Sequence, residues 1–422
     1  MNQPKSLLHN LLKTTVPWAI GLFLALNAGL SGLSHRLPVS SSLEERSATY
    51  QACDSAVRQF EESQKTPGCV LIGSSLVMAP LWSSDSLHNP GIADVYHHHR
   101  SIELEKALKA NGISKHAVFC FALPGEMISD GYLITDKLLA GAKTPDILVY
   151  GLAPRDFMDD LLTGETRTAV FQRLTGLSDL PSLWTLYLAT WSERADFTLS
   201  NLFYFYGKRL RYQDKLATIC QRLAGKLMPE GADSASRLPG QLESQFLRDP
   251  DQNKVWARSI EEYRGRYRHF NQAQFAKQEQ FLKALLELAR SRGIRIALVN
   301  MPLTETNLAL MPPGFYQRYL KTLSALASEY RCQILNLQTD SSYPREFFYD
   351  TAHLNARGGD RFISRLANWI GSQVRQSRYE SSQQGYAPPM VAACPQTRSG
   401  PRSFPYRQGM SGRLCPAVAA GN

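Results

Sequence analysis

The sequence predicts an α/β protein: a three-layer α/β/α sandwich around a parallel sheet, with a helical cap inserted into it and a transmembrane helix at the amino terminus. Three observations carry that reading. Short apolar runs recur at Cys69–Gly73, His116–Ala122, Ile147–Gly151, Ile294–Asn300 and Gln333–Leu337, and runs of this length without polar alternation are how strands buried on both faces read. Segments with apolar residues at helical spacing separate them, giving the βαβ alternation of a parallel sheet. The first run ends in Gly73, Ser74 and Ser75, small residues at the carboxyl end of a strand, where open α/β sheets place their chemistry.

From the amino terminus, Thr14 to Ser34 contains no charged residue, long enough to cross a bilayer, which needs roughly twenty apolar residues. Lys5 and Lys13 precede it, and Arg36, Glu44 and Glu45 follow. That bias keeps the start in the cytoplasm and exports the body. Residues 1–36 are therefore a signal anchor of a single-pass membrane protein; the competing reading is secretion after cleavage near Gly29–Ser34. A linker and a mostly polar helix fill 37–65, Glu44 to Ser63 having helical spacing. After Ser75, the stretch LVMAPLWSSDSLHNPG reads as a long loop over the sheet, with Trp82 and Asp85 as pocket candidates. Helices are expected over Ile102–Ala110 and Ser129–Leu139, and Leu123–Glu126 follows the second strand as a turn.

Between Gly151 and Ile294 a minimal fold needs only one helix, yet the chain carries SLWTLYLATW, LSNLFYFYGKRL and EEYRGRYRHF. This is a largely helical cap inserted at about 160–290, its aromatics forming either a cap core or a membrane-facing surface. Asn271–Arg292 and Tyr316–Tyr330 are amphipathic helices, Gly293 ending the first, and Phe362–Ile370 closes the domain that spans 66–376. From 377 to 422 the composition turns to Ser, Gln, Gly, Pro and Arg, predicting a disordered basic tail.

The chemistry-bearing residues are Ser75 and, far downstream, Asp350 and His353. A serine hydroxyl is a poor nucleophile until an imidazole takes its proton, and the imidazole needs a carboxylate to fix its tautomer. Residues three apart share a face of a helical turn, so Asp350 can orient His353 locally and only Ser75 must come from elsewhere. The bland alternatives are turn chemistry for Gly73–Ser75 and a helix cap near Ala356 for Asp350.

With these residues the chain resembles the SGNH (GDSL-like) hydrolase superfamily, in which a Gly-x-Ser after the first strand supplies the nucleophile and a late Asp-x-x-His the other two members. It is most similar to a membrane-anchored Gly-Ser-Ser branch that includes proteins like the D-alanyl transfer protein of teichoic acid modification. The resemblance implies an SGNH/flavodoxin-like sheet, with Ser75 as nucleophile, Asp350 as orienting acid and His353 as base. It also implies that Gly125 gives a backbone N–H to the oxyanion. Val77 excludes the Gly-x-Ser-x-Gly elbow of the α/β hydrolases. The third block departs from the pattern: Gly151, Leu152, Ala153 and Pro154 carry no side-chain amide. Arg155 is then a candidate cationic donor, or half of an ion pair with Asp156, and Asn300 at the next strand end a candidate amide. The implied function is an esterase or O-acyltransferase acting on an acylated envelope glycan or lipid. The alternative is a non-catalytic scaffold assisting an integral membrane acyltransferase.

Composition narrows the rest. With 422 residues, 43% of them hydrophobic, the chain has ample core for a globular body. The formal charge of +10 includes four arginines, 398, 402, 407 and 413, in a tail without acids after Glu380. The remainder is spread over a large body and makes no nucleic-acid footprint. Seven cysteines form no CxxC pair, and consecutive His97, His98 and His99 cannot all face one ion, so neither a metal nor another cofactor is expected.

Overall fold

The computed structural model describes residues 15, 17–27, 29, 48–64, 66–92, 94–159, 164–207, 252–339 and 343–383. Five parallel strands form one sheet: β1 (Cys69–Gly73), β2 (Val118–Ala122), β3 (Ile147–Leu152), β4 (Arg295–Asn300) and β5 (Gln333–Asn336), in the order β2-β1-β3-β4-β5. All four pairings are parallel, with Gly73 level with Ala122 on one side and Gly151 on the other. This is the flavodoxin-like doubly wound order, which reverses direction between β1 and β3, and ligands of such sheets bind outside the carboxyl ends of those two strands.

Helix α1 (Ala48–Glu62) leads into β1 and packs on β2, where Phe60 meets Phe119 and Phe121 edge to face. Then come α2 (Ser75–His88), α3 (Ile102–Ala110) and α4 (Ile128–Leu138). Between β3 and β4 lie α5 (Ala169–Leu174), α6 (Leu180–Leu183), α7 (Trp191–Leu202), α8 (Tyr204–Gly207), α9 (Gln252–Arg266) and α10 (Gln272–Ser291). The chain closes with α11 (Glu305–Leu308), α12 (Phe315–Tyr330) and α13 (Ala356–Gln383). Helices α4, α10 and α12 pack against β1, β4 and β5 respectively and α10 against α4 and α12. On the other face α2 and α3 pack on β2. α13 lies so close to α2 that a Cβ on Gly359 would run into the Pro80 carbonyl oxygen, and Asn368 accepts a hydrogen bond from Asn111 just past α3. The parallel strands bury every residue of β1 and β3, as their unbroken apolar runs require.

Three expectations change. The stretch after Ser75 is the helix α2, not a loop: ten of its residues, Leu76 to Leu81 among them, are buried. Tertiary burial overrides Pro80, whose interior position costs a helix about 3 kcal/mol. Asp85 lines no pocket: wholly buried, it accepts the backbone N–H groups of Ile102 and Glu103 at 2.7 and 2.9 Å and thereby caps α3. The final helix runs on to Gln383, so the expected tail begins later than Ser377, and residues 384–422 lie outside the described residues. Of the expected transmembrane helix, residues 17–27 are helical. Among the described residues no helix is long and apolar enough to cross a membrane. The rest of the anchor, the 37–47 linker and the cap residues 208–251 lie outside the described residues.

Candidate active site

Ser75 is the first residue of α2, directly after β1, at the point where the strand order reverses. A pair of glycines holds it there. A Cβ on Gly73, whose φ is +154°, would stand 2.6 Å from Val77 Cγ2 and 2.7 Å from the Gly151 carbonyl oxygen. One on Gly151 would run into the same Val77 methyl. The two glycines leave a slot into which Val77 drops, so the first turn of α2 sits down on the ends of β1 and β3. Ser75 therefore lies at a helix amino terminus, where backbone N–H groups and the helix dipole favour developing negative charge.

The other half is a tight bend between Phe348 and Leu354, which form an antiparallel bridge, closed by the Tyr349 N–H donating to the His353 carbonyl at 2.8 Å. Asp350 and His353 were expected to share a helical turn. Instead, Asp350 Oδ1 folds the bend by accepting the N–H groups of Ala352 at 2.7 Å and His353 at 2.8 Å. Its Oδ2 lies 2.8 Å from His353 Nδ1, and His353 Nε2 lies 2.9 Å from Ser75 Oγ. Burial alone would raise the Asp350 carboxyl. The His353 imidazole and those two N–H groups outweigh it and hold Asp350 below its ordinary value. With the carboxylate ionised, Nδ1 carries the proton and Nε2 presents a lone pair to the serine hydroxyl. All three residues are buried, which strengthens each of these contacts by excluding water.

Of the other expected residues, Gly125 has φ +71°, with open space where a Cβ would point. That left-handed conformation favours glycine, the residue a close backbone approach to substrate requires. Arg155 is buried and sits 3.4 Å from Asp156 and 3.5 Å from Asp159, so the ion-pair alternative describes its surroundings. Asn300 donates through Nδ2 to Tyr316 Oη at 3.0 Å and Asn336 Oδ1 at 2.7 Å, and its Oδ1 accepts from Tyr319 at 2.9 Å. Both amide hydrogens are thus committed to pinning β4 to β5 and α12, and Asn300 offers none to an oxyanion. His97, His98 and His99 turn to Asp94, Asp85 and the Tyr96 carbonyl respectively. Among the described residues no group of His, Cys, Asp and Glu is arranged to hold a metal ion.

Several supporting residues escaped the sequence. Thr351, inside the bend, is gripped on three sides. Ser259 of α9 lies 2.6 Å from its hydroxyl and accepts its N–H at 3.2 Å, Asn307 Nδ2 donates to the hydroxyl at 3.0 Å, and Thr304 donates to its carbonyl at 2.6 Å. Helix α9, from the long segment between β3 and β4, therefore helps hold the histidine bend, and nothing local to the Ser259 sequence signals it. Glu126, next to Gly125, is buried, and neither carboxyl oxygen has a hydrogen-bond partner. Burial, with Asp130 and Asp156 nearby, pushes its carboxyl well above the ordinary range.

Fold and site together define a class: a doubly wound α/β sandwich with a Ser–His–Asp hydrogen-bond chain at the carboxyl edge of its sheet. No known family profile and no curated protein matches the chain. Among solved structures, an acetyl xylan esterase, AlAXEase, is similar at 13% identity and a TM-score of 0.32, covering 72% of this chain and 99% of its own. A putative GDSL-like lipase from Parabacteroides merdae is similar at 11% identity and a TM-score of 0.33, covering 74% and 98%. A point mutant of the esterase AlinE4 is similar at 14% identity and a TM-score of 0.28, covering 74% and 98%. What the chain does is therefore read from the geometry around Ser75.

Proposed function

We propose that this chain is a membrane-anchored, exported SGNH-like serine esterase or O-acyltransferase that acts on acyl groups of a cell-envelope glycan or lipid. The observation that carries the reading is the unbroken chain from Ser75 Oγ through His353, at 2.9 Å, to Asp350, at 2.8 Å. In the first half-reaction Ser75 Oγ attacks the acyl carbonyl while His353 Nε2 takes the hydroxyl proton. Asp350 holds the imidazole in the required tautomer and stabilises the imidazolium. The oxyanion is met by the backbone N–H groups of Ser75 and Gly125. Collapse breaks the ester bond, His353 returns its proton to the departing alcohol, and an acyl-enzyme ester remains. Water, deprotonated by His353, releases a carboxylic acid; an acceptor hydroxyl in its place completes a transfer.

Turnover of short acyl esters by the full chain tests this. Parent activity that disappears in both Ser75→Ala and His353→Ala is the expected result, and a folded parent with no turnover contradicts it. A second reading, a non-catalytic scaffold for an integral membrane acyltransferase, is favoured by one observation. Ala153 stands where a side-chain amide would assist the oxyanion, and the Asn300 amide is fully engaged elsewhere. A missing donor typically costs ~2.7–4 kcal/mol of transition-state stabilisation. That reading predicts co-purification with the acyltransferase, unaffected by Ser75→Ala, and an inert parent.

A further inference from the structure

The cap helix α7 is amphipathic with its apolar side facing outward. Phe197 points inward against Phe171, with ring centroids 5.7 Å apart. On the opposite side Trp191, Ala195, Leu199 and Leu202 follow one another at helical spacing and are all exposed, Trp191 by 79% and Leu202 by 53%. An uncharged, solvent-facing stripe on an amphipathic helix calls for a covering surface. Beside it, the Arg194 guanidinium stacks on Trp184 at 4.6 Å and on Trp191 at 5.3 Å. Two tryptophans and an arginine at the edge of an apolar stripe are the chemistry of a membrane interface, rings at headgroup depth and cation toward phosphate.

The stripe continues into the amino-terminal helix. Asn27 donates to the Leu202 carbonyl at 3.0 Å, and Phe23, one turn before it, stacks on Phe203 at 6.0 Å. The rest of that helix, including Trp18, Ile20, Leu22 and Leu26, is exposed and without charge. We infer that the exposed face of α7 and the helix at 17–27 form one bilayer-docking surface, which lays the cap on the lipid interface. The inference deepens the anchored-enzyme reading and rests on its anchor: the body does not swing free on its tether but sits against the membrane, which points to acyl groups carried on lipid or held at the membrane surface.

The test uses the full chain reconstituted in phosphatidylethanolamine–phosphatidylglycerol vesicles whose acyl chains carry bromine, a short-range quencher of tryptophan. Emission is compared between the parent, Trp18→Phe and Trp191→Phe, conservative changes at exposed positions. The expected result is that each substitution removes part of the quenchable emission. If Trp18→Phe removes it and Trp191→Phe does not, the cap stands off the bilayer and the inference is overturned while the anchor survives. If Trp18→Phe removes none, the anchor itself fails and the inference with it. Cross-linking of Leu202→Cys that joins two copies, without bromine quenching at Trp191, assigns the stripe to self-association and overturns the inference. Fluorophosphonate labelling of the same vesicles reports separately on Ser75.

Discussion

The two halves of the candidate triad are held by opposite means. Ser75 is placed by apolar close packing: Gly73 and Gly151 leave a slot and Val77 fills it. The Asp350–His353 bend is placed by polar contacts, with Asp350 folding the bend and Ser259, Asn307 and Thr304 holding Thr351. Packing of the first kind tolerates no added atom, whereas a hydrogen-bond network of the second kind loses its members one at a time. The difference follows from the elements: a strand end and a helix start meet as surfaces, while the bend, its ends anchored in the core by Phe348 and Leu354, depends on polar groups to fix the loop between them.

Substitution within the triad itself should have the largest effect. Ser75→Ala or His353→Ala should lower kcat by about 10⁶, and Asp350→Asn, which keeps the shape but not the tautomer control, by about 10⁴. Steady-state kinetics on a short acyl ester reads both. Next comes the slot. Gly151→Ala should destabilise the fold by roughly 1–3 kcal/mol through overpacking, and adding Val77→Ala should recover part of that loss. A denaturation cycle on the two sites in which the second change brings no recovery would break the packing account of Ser75. On the polar side, Ser259→Ala strips Thr351 of two contacts and should cost about 1–3 kcal/mol. It should also lower kcat without changing fluorophosphonate labelling at saturation. Recovery of the Ser259→Ala loss by Val77→Ala, as for Gly151→Ala, would erase the contrast between the halves.

The smallest expected effect is on pH dependence. Burial raises Asp130 to about 7 and Asp156 to about 6, and Glu126 well above its ordinary value. Each therefore keeps its proton in the folded state at a pH where the unfolded chain, with carboxyls near ~4, has lost it. The native state binds more protons in that window, so these groups make stability fall as pH rises from about 4 toward 7. Asp350 acts in the opposite sense: its depressed value contributes stability above about 4 that is lost as pH drops through the folded value. Glu126→Gln, neutral at every pH, should flatten the decline of Tm as pH rises above the ordinary carboxylate range of ~4. An unchanged slope would remove Glu126 from this set.

β1, β2 and β3 were legible because a buried parallel strand has no polar residue to interrupt it, β4 and β5 by their apolar centres between exposed starts at Arg295 and Gln333, and the candidate triad's residues were legible because their types and order carry the chemistry. Local signals misled where long-range packing decides. The stretch after Ser75 reads as a loop, yet burial against the sheet and α13 makes that segment a helix despite Pro80. Asn300 has the right side chain at the right edge of the sheet, but Tyr316, Tyr319 and Asn336 claim it, and they are distant in sequence. Ser259 reaches Thr351 across ninety-odd positions, a contact for which no spacing rule exists.

Whether Ser75 is an activated nucleophile is read most directly by intact-mass analysis of the folded full chain after exposure to a fluorophosphonate. The expected result is a single adduct, located on Ser75, absent in Ser75→Ala and strongly slowed in His353→Ala. A folded parent that takes up no label, or one whose label persists in Ser75→Ala, would contradict it.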